Sequence, residues 1–119
     1  MRPLAFPKSS HLLKRADFLR VYDNGSKYSS RHLSAFLYRN DDPVRPLKAR
    51  IGFTVPKALG KANLRNLIRR RTREALRLDY AALPPNLDIV VHPRRSAAAV
   101  TFDELRQEVR KLIERCKRP

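Results

Sequence analysis

Six arginines and a single glutamate fall within "LRNLIRRRTREALR", residues 64 to 77, among letters that otherwise suit a helix. Like charges three and four residues apart cost a helix roughly a few tenths of a kcal/mol per pair, so such a segment calls for an anionic counterpart. At about 100° per residue, Leu64, Leu67, Ile68, Ala75 and Leu78 gather on one arc that can pack on a sheet. Arg65, Arg69, Arg70, Arg73 and Arg77, with Asn66, take a second arc. A guanidinium is planar, always charged, and donates in a fork to two phosphate oxygens, so this second arc can follow a line of phosphates. A solvated charged helix is the plainer alternative, but with only Glu74 inside the segment the mixed-sign pattern of such surfaces is missing. Arg71 breaks the pattern. It projects near Leu67 and Leu78, so either it snorkels from the edge of the packed face or the apolar arc is narrower than drawn.

The preceding "VPKALGKAN" brings Lys57 and Lys61 to the helix N-terminus, where unpaired amides and the dipole favour an anion. It is not a P-loop, because the glycine spacing and the Lys-Ser/Thr ending are absent. Hydrolytic chemistry of the chain's own has no visible site. A metal-dependent nuclease needs clustered carboxylates, whereas Asp17 and Asp23, Asp41 and Asp42, and Asp103, Glu104 and Glu108 are dispersed, the first two of the last group explained by a helix cap. His11, His32 and His92 have no ligand spacing and read as surface or half-buried residues. No catalytic and no metal-binding residue is expected.

Across 119 residues the chain carries 27 Lys and Arg against 11 Asp and Glu, a net charge of +16, which selects a polyanion as partner. No uncharged apolar window is long enough to span a bilayer, and "MRPLAFPKSSHLLKR" lacks the apolar core and cleavage site of a secretory signal. The single Cys116 excludes an intrachain disulfide and fits a reducing compartment, hence an expected cytoplasmic location.

The elements that must position these residues fit one small domain, 1–119, with residues 1–10 as a flexible basic arm. "HLLKRADFLRVYDNG" reads as a first helix with Phe18, Val21 and Tyr22 on one face and Asn24-Gly25 as its stop. "LSAFLY" (33–38), "ARIGFTV" and "LDIVVH" (87–92) read as strands, the second with Ile51, Phe53 and Val55 on one face and Arg50, Gly52 and Thr54 on the other. The last helix opens on a Thr101/Glu104 capping box and repeats Phe102, Leu105, Val109, Leu112, Ile113 and Cys116 at helical spacing; the basic residues opposite read as a solvated face. Helices alternating with strands in this order suggest an α+β domain of one sheet against helices.

"KALGKANLRNLIRRRTREALR" also resembles the signature of the protein component of bacterial ribonuclease P: a Lys, an Ala, then Arg-Asn-Arg-x-Lys-Arg-x-x-Arg. Lys57 and Ala62 match its opening, Arg65 and Asn66 its first pair, Arg69 and Arg70 its Lys-Arg, and Arg73 its final arginine. "LLKRADFLRVYDNGS" is similar to the family's opening helix, with Phe18 and Tyr22 at its two aromatic positions. Two departures stand out: Leu67 where the family usually has arginine, and Arg71 where it usually has an apolar residue, one turn away, so that the exchange would keep one charge at that edge. Ala58 replaces what is often a second lysine.

The resemblance implies a four-stranded mixed sheet with three helices and a left-handed crossover. It implies a catalytic RNA partner that does the phosphodiester chemistry, Mg2+ held mainly by that RNA, a protein inactive alone, and precursor tRNA as substrate, with neither a membrane nor a stable protein partner. RNA contact would fall to Lys57, Lys61, Arg65, Asn66, Arg69, Arg70, Arg73 and Arg77. Phe18 and Tyr22, with Phe36 and Thr54, would form a groove for the single-stranded 5′ leader, although by themselves Phe18 and Tyr22 also read as core. A ribosomal or general RNA-binding protein would share the arginine arc without needing that aromatic pair. A helix-turn-helix DNA regulator is disfavoured by the strands and prolines flanking the basic helix.

Overall fold

The computed structural model describes residues 14–42 and 48–118; the expected N-terminal arm lies outside the described residues. Helix α1 is Arg15–Asn24, strands β1 and β2 are Ser26–Ser29 and Leu33–Arg39, and β3 is Arg50–Phe53. Helix α2 is Ala62–Leu78, β4 is Leu87–Pro93 and α3 is Phe102–Cys116. The four strands form one sheet in the order β1-β2-β4-β3, antiparallel except for the β3–β4 pair. Parallel neighbours need a crossover, and α2 supplies it.

The pleat of the strands sorts the side chains by face. Leu33, Ala35 and Leu37 of β2, Ile51 of β3, and Leu87, Ile89 and Val91 of β4 enter the main core with Ile68, Ala75 and Leu76 of α2 and Leu105, Val109, Leu112, Ile113 and Cys116 of α3. Phe53 packs against that core and Val55 is buried in it, as the period-two pattern predicts. On the other side of the sheet, Val21 of α1 and Val90 of β4 form a small second core, flanked by Phe18, Tyr22, Phe36 and Tyr38. Strand β4 is therefore covered on both faces.

Strand β1 is absent from the pattern-based reading. "SKYS" holds one aromatic and three small or charged residues, and the strand sits at the sheet edge with only Tyr28 partly buried, so no hydrophobic alternation marks it. Gly25 allows the abrupt passage from α1 into β1: a Cβ there would lie 2.5 Å from the Val21 carbonyl oxygen and 2.6 Å from that of Leu37.

A buried ion pair on the α1 face of the sheet ties β3, β4 and α1 together. Asp88 of β4 is 1% exposed, and Arg50 of the adjacent β3 meets it in a fork, Nε–Oδ1 2.9 Å and Nη2–Oδ2 2.7 Å. Asn40 Nδ2 donates to the same carboxylate at 3.0 Å, and Arg50 Nη2 also reaches Asp17 of α1 at 3.4 Å. The bond to Asp88 is the largest reason that the Arg50 pKa is raised further above its ordinary value. Removing one partner of such a pair leaves the other charge uncompensated, so Asp88→Asn should cost about 3 kcal/mol in urea unfolding. Asp17→Asn, at the more exposed end of the same network, should cost under about 1 kcal/mol. Equal losses would mean that α1, not the β3–β4 pair, carries the network.

Candidate nucleic-acid interface

Helix α2 starts after a 3-10 turn, Lys57–Leu59, which closes at Gly60 with φ 145°, a conformation open to glycine. Lys61 is its N-cap residue, and both Lys57 and Lys61 are exposed. The buried positions are Ile68, Thr72, Ala75 and Leu76, so the packed arc is rotated from the one drawn on Leu67, Ile68 and Leu78. Leu67 and Leu78 sit half-buried at its margin. The correction has a plain cause: tertiary packing centres on a short Thr and a Leu that a count of apolar letters assigned to no face.

On the opposite side Asn66, Arg69, Arg70, Arg73 and Arg77, with Glu74, line a shallow cleft of about 300 Å³. Arg69, Arg70 and Arg73 are exposed. Arg69 Nη1 donates to Asn66 Oδ1 at 3.1 Å, which orients the amide beside the cation. Arg77 makes a fork to Glu74, its Nε 2.8 Å from Oε2 with Nη2 on Oε1. That bond holds the Glu74 carboxyl below its usual range and raises the Arg77 pKa. Part of the Arg77 charge is thus already answered within the helix. Arg65 lies between the two arcs, half-buried, with Nε donating to the Gly60 carbonyl at 3.2 Å.

Arg71 belongs to neither arc. Its Nη1 donates to the Ala98 carbonyl at 3.1 Å and its Nη2 to that of Val100, in the segment that leads into α3. The exchange with Leu67 therefore does not keep a cation at the edge of the arginine arc; Arg71 instead clamps α2 to the segment before α3.

The aromatic positions converge on the other face of the sheet. Tyr22 and Phe36 rings meet edge to face at 5.0 Å, and the Tyr22 hydroxyl lies 3.3 Å from Thr54 Oγ1. Phe18 packs on the same cluster. Sequence reasoning passed over His92, whose Nε2 lies 2.9 Å from the Tyr22 hydroxyl and whose ring lies 5.5 Å from that of Phe36. It also passed over Lys27, with Nζ 5.8 Å from the Phe36 ring centre. Period two along β4 carries a signal for His92, two residues from Val90 on the α1 face. Desolvation, then the nearby Lys27, lowers the His92 pKa below its ordinary value. The result is a half-open aromatic floor, with a neutral imidazole and a hydroxyl at one end and an ammonium beside it.

Among the described residues no group of three or more His, Cys, Asp or Glu is placed to hold a metal ion.

A family model described as Ribonuclease P matches residues 6–117. The chain is 32% identical over 111 residues to the ribonuclease P protein component of Clostridioides difficile, covering 92% of this chain and 94% of that protein. It is 34% identical to that of Desulforapulum autotrophicum, covering 97% and 95%. Among solved structures it is similar to the RNase P protein of Staphylococcus aureus, at TM-score 0.78 and 28% identity over 92% of this chain and 97% of that one. It is also similar to the RNase P protein of Thermotoga maritima, at TM-score 0.77 and 28% identity over 91% and 98%. These similarities concern a ribonucleoprotein, not a compartment, and they correct the expected cytoplasmic location, whose residue-level support fails as well. Cys116 is 2% exposed and burial pushes its thiol up to about 12, so its protection from oxidation comes from packing and says nothing of the surroundings.

Two outcomes follow from this geometry. Arg71→Leu should lose about 1–3 kcal/mol of stability while leaving the salt dependence of RNA binding unchanged. Arg69→Ala should leave stability within about 0.5 kcal/mol and lower the salt slope by about one. The reverse pattern in melting curves and salt titrations would exchange their roles. For His92, the unfolded chain takes up a proton at higher pH than the folded one does. Its contribution to stability is therefore complete above about pH 6.5 and is lost as pH falls through the depressed folded value. Wild type should lose melting temperature relative to His92→Gln below that pH, and parallel curves would contradict the half-buried neutral imidazole.

Proposed function

The chain belongs to the bacterial ribonuclease P protein components, and from that membership we propose how its two faces divide the work. As such a component it is an RNA-binding subunit of a ribonucleoprotein that acts with an RNA to cleave the 5′ leader from precursor tRNA. Ribonuclease P complexes use Mg2+; in our reading the RNA holds it and performs the phosphodiester chemistry, and the protein alone cleaves nothing.

The observation that carries the division is the separation of the α2 cations from the aromatic floor by the sheet. Helix α2 covers the main core on one side and turns Asn66, Arg69, Arg70 and Arg73 outward, with Lys57 and Lys61 at its N-terminal end. This face suits duplex and folded RNA, whose regularly spaced phosphates a rigid line of guanidinium groups can meet. Arg65 and Arg77 act at its margins, because both are half-buried, with Arg65 donating to the Gly60 carbonyl and Arg77 forked onto Glu74.

The α1 face takes the leader. Single-stranded bases are unstacked and can lie on Phe18, Tyr22 or Phe36, while Lys27 meets a phosphate. Thr54 and His92 act through Tyr22 by fixing its hydroxyl. Stacking tolerates any base, which suits an enzyme whose substrates share a mature tRNA but differ in leader sequence.

The test is reconstitution with the cognate catalytic RNA at low magnesium. Protein with RNA should outperform RNA alone, and protein alone should be inactive; cleavage by the protein freed of RNA would overturn the assignment of the chemistry. Phe18→Leu and Tyr22→Leu should each weaken holoenzyme binding to precursor tRNA by about 1–3 kcal/mol and leave binding to leaderless tRNA and assembly with the catalytic RNA near wild type. Equal losses on both substrates at unchanged melting temperature would move the leader off this face.

A further inference from the structure

A third basic surface lies apart from both. Tyr28 of β1 and Arg110, Lys111, Glu114, Arg115 and Arg118 line a groove of about 370 Å³ between the free edge of β1 and the C-terminal half of α3. Four cations face one carboxylate there, and Glu114 Oε1 is engaged by Lys117 Nζ at 3.1 Å. Arg110 is drawn toward Asp79, its Nε 3.5 Å from Oδ2. Among the described residues no carboxylate pairs with the side chains of Lys111, Arg115 or Arg118. The groove is preformed: Arg39 of β2 donates at 2.7 Å to the carbonyls of both Cys116 and Arg118, which fastens the end of α3 to the sheet.

The strand register says where this groove leads. In the β1–β2 pairing Lys27 stands opposite Phe36 and Tyr28 opposite Ala35. Phe36 lies on the α1 face and Ala35 in the core under α3, so Lys27 faces the aromatic floor and Tyr28, which packs against the main core, opens into the basic groove. Successive residues of an exposed edge strand thus place a cation on one face and an aromatic ring on the other. A single strand of RNA leaving the aromatic floor past Lys27 needs only to round the β1 edge to meet Tyr28 and then Lys111, Arg115 and Arg118. A duplex is too stiff to turn around an edge of four residues.

We propose that the groove between β1 and α3 binds the distal, 5′-terminal part of the leader, its phosphates on Lys111, Arg115 and Arg118 and a base on Tyr28. This rests on the reading of the α1 face as the site of the proximal leader. The groove is suited to single-stranded RNA by the ring and by cations spaced along the end of α3 and just past it, and it acts through phosphates irrespective of sequence.

The holoenzyme would be titrated with two precursor tRNAs, one with a short leader and one extended at its 5′ end, over a range of salt. Three proteins would be compared: wild type, the combined Lys111→Gln, Arg115→Gln and Arg118→Gln variant, and Phe18→Leu. With single-stranded contacts contributing about 0.7 each to the salt slope, the triple variant should bind the extended substrate with a slope smaller by about two and about tenfold more weakly. It should match wild type on the short one and in assembly with the catalytic RNA. Wild-type affinity for the extended leader, equal losses on both leaders, or impaired assembly with the catalytic RNA would each overturn the proposal. Phe18→Leu separates the two levels: if it weakens both substrates while the triple variant weakens neither, the proximal groove stands and this one falls. If Phe18→Leu has no effect on either, the leader reading itself fails. Should the triple variant melt early, Lys111→Glu, a single reversal at an exposed position, must still weaken the extended substrate selectively, and its failure to do so counts against the groove.

Discussion

Asp88 cannot be neutralised by water where it lies, and its fork with Arg50 sets the terms for everything around it. Carboxylate and guanidinium stand on adjacent parallel strands, Asn40 fills a remaining lone pair, and the far end of the guanidinium reaches Asp17 on α1. The pair therefore fixes β3 beside β4 on the far side of the α2 crossover and holds α1 over the opposite face. A hydrophobic pair at this place would pack the sheet as well, but it would not orient α1. Tyr22, further along the same helix, lies within reach of Thr54 and His92.

In the proposed division of labour, two kinds of RNA contact fall on opposite sides of one sheet. Phosphate contacts on α2 are long-ranged and weaken steeply with salt, whereas stacking on the α1 face is short-ranged and largely indifferent to it. A rigid four-stranded sheet between them keeps a substrate strand from competing with a structured RNA for the same cations. Strand β4, covered on both faces, packs under α2 and α3 on one side and under α1 on the other.

Net charge overstates the surface available for RNA, because several arginines are committed to the fold. Arg50 neutralises Asp88, Arg71 ties α2 to the segment before α3, and Arg39 fastens the end of α3 to β2. Long cationic side chains serve in these places because backbone carbonyls near helix ends need donors and the forked guanidinium reaches two at once. The loop before β2 is held by the converse device. Glu108 of α3 accepts from Ser30 Oγ at 2.6 Å and from the His32 amide at 2.9 Å, while His32 Nδ1 and Ser96 Oγ lie 2.7 Å apart.

The sequence by itself determined the α+β class, the polyanionic partner, helix α3 to its apolar residues, the inward and outward faces of β3, and the outward Asn66, Arg69, Arg70 and Arg73. Each of these follows from periodicity or charge, which are local properties of the chain. Only the tertiary structure decided which side of the sheet each face serves, that Thr72 and Leu76 centre the packed arc of α2, and that Arg71 is a clamp. It alone revealed β1, whose edge position asks for no hydrophobic alternation, and His92 and Lys27, which join Tyr22 and Phe36 from other elements. The physical reason is the same in each case: a residue's own neighbours in sequence set its periodicity, but burial, register and hydrogen-bond partners come from strands and helices tens of residues away.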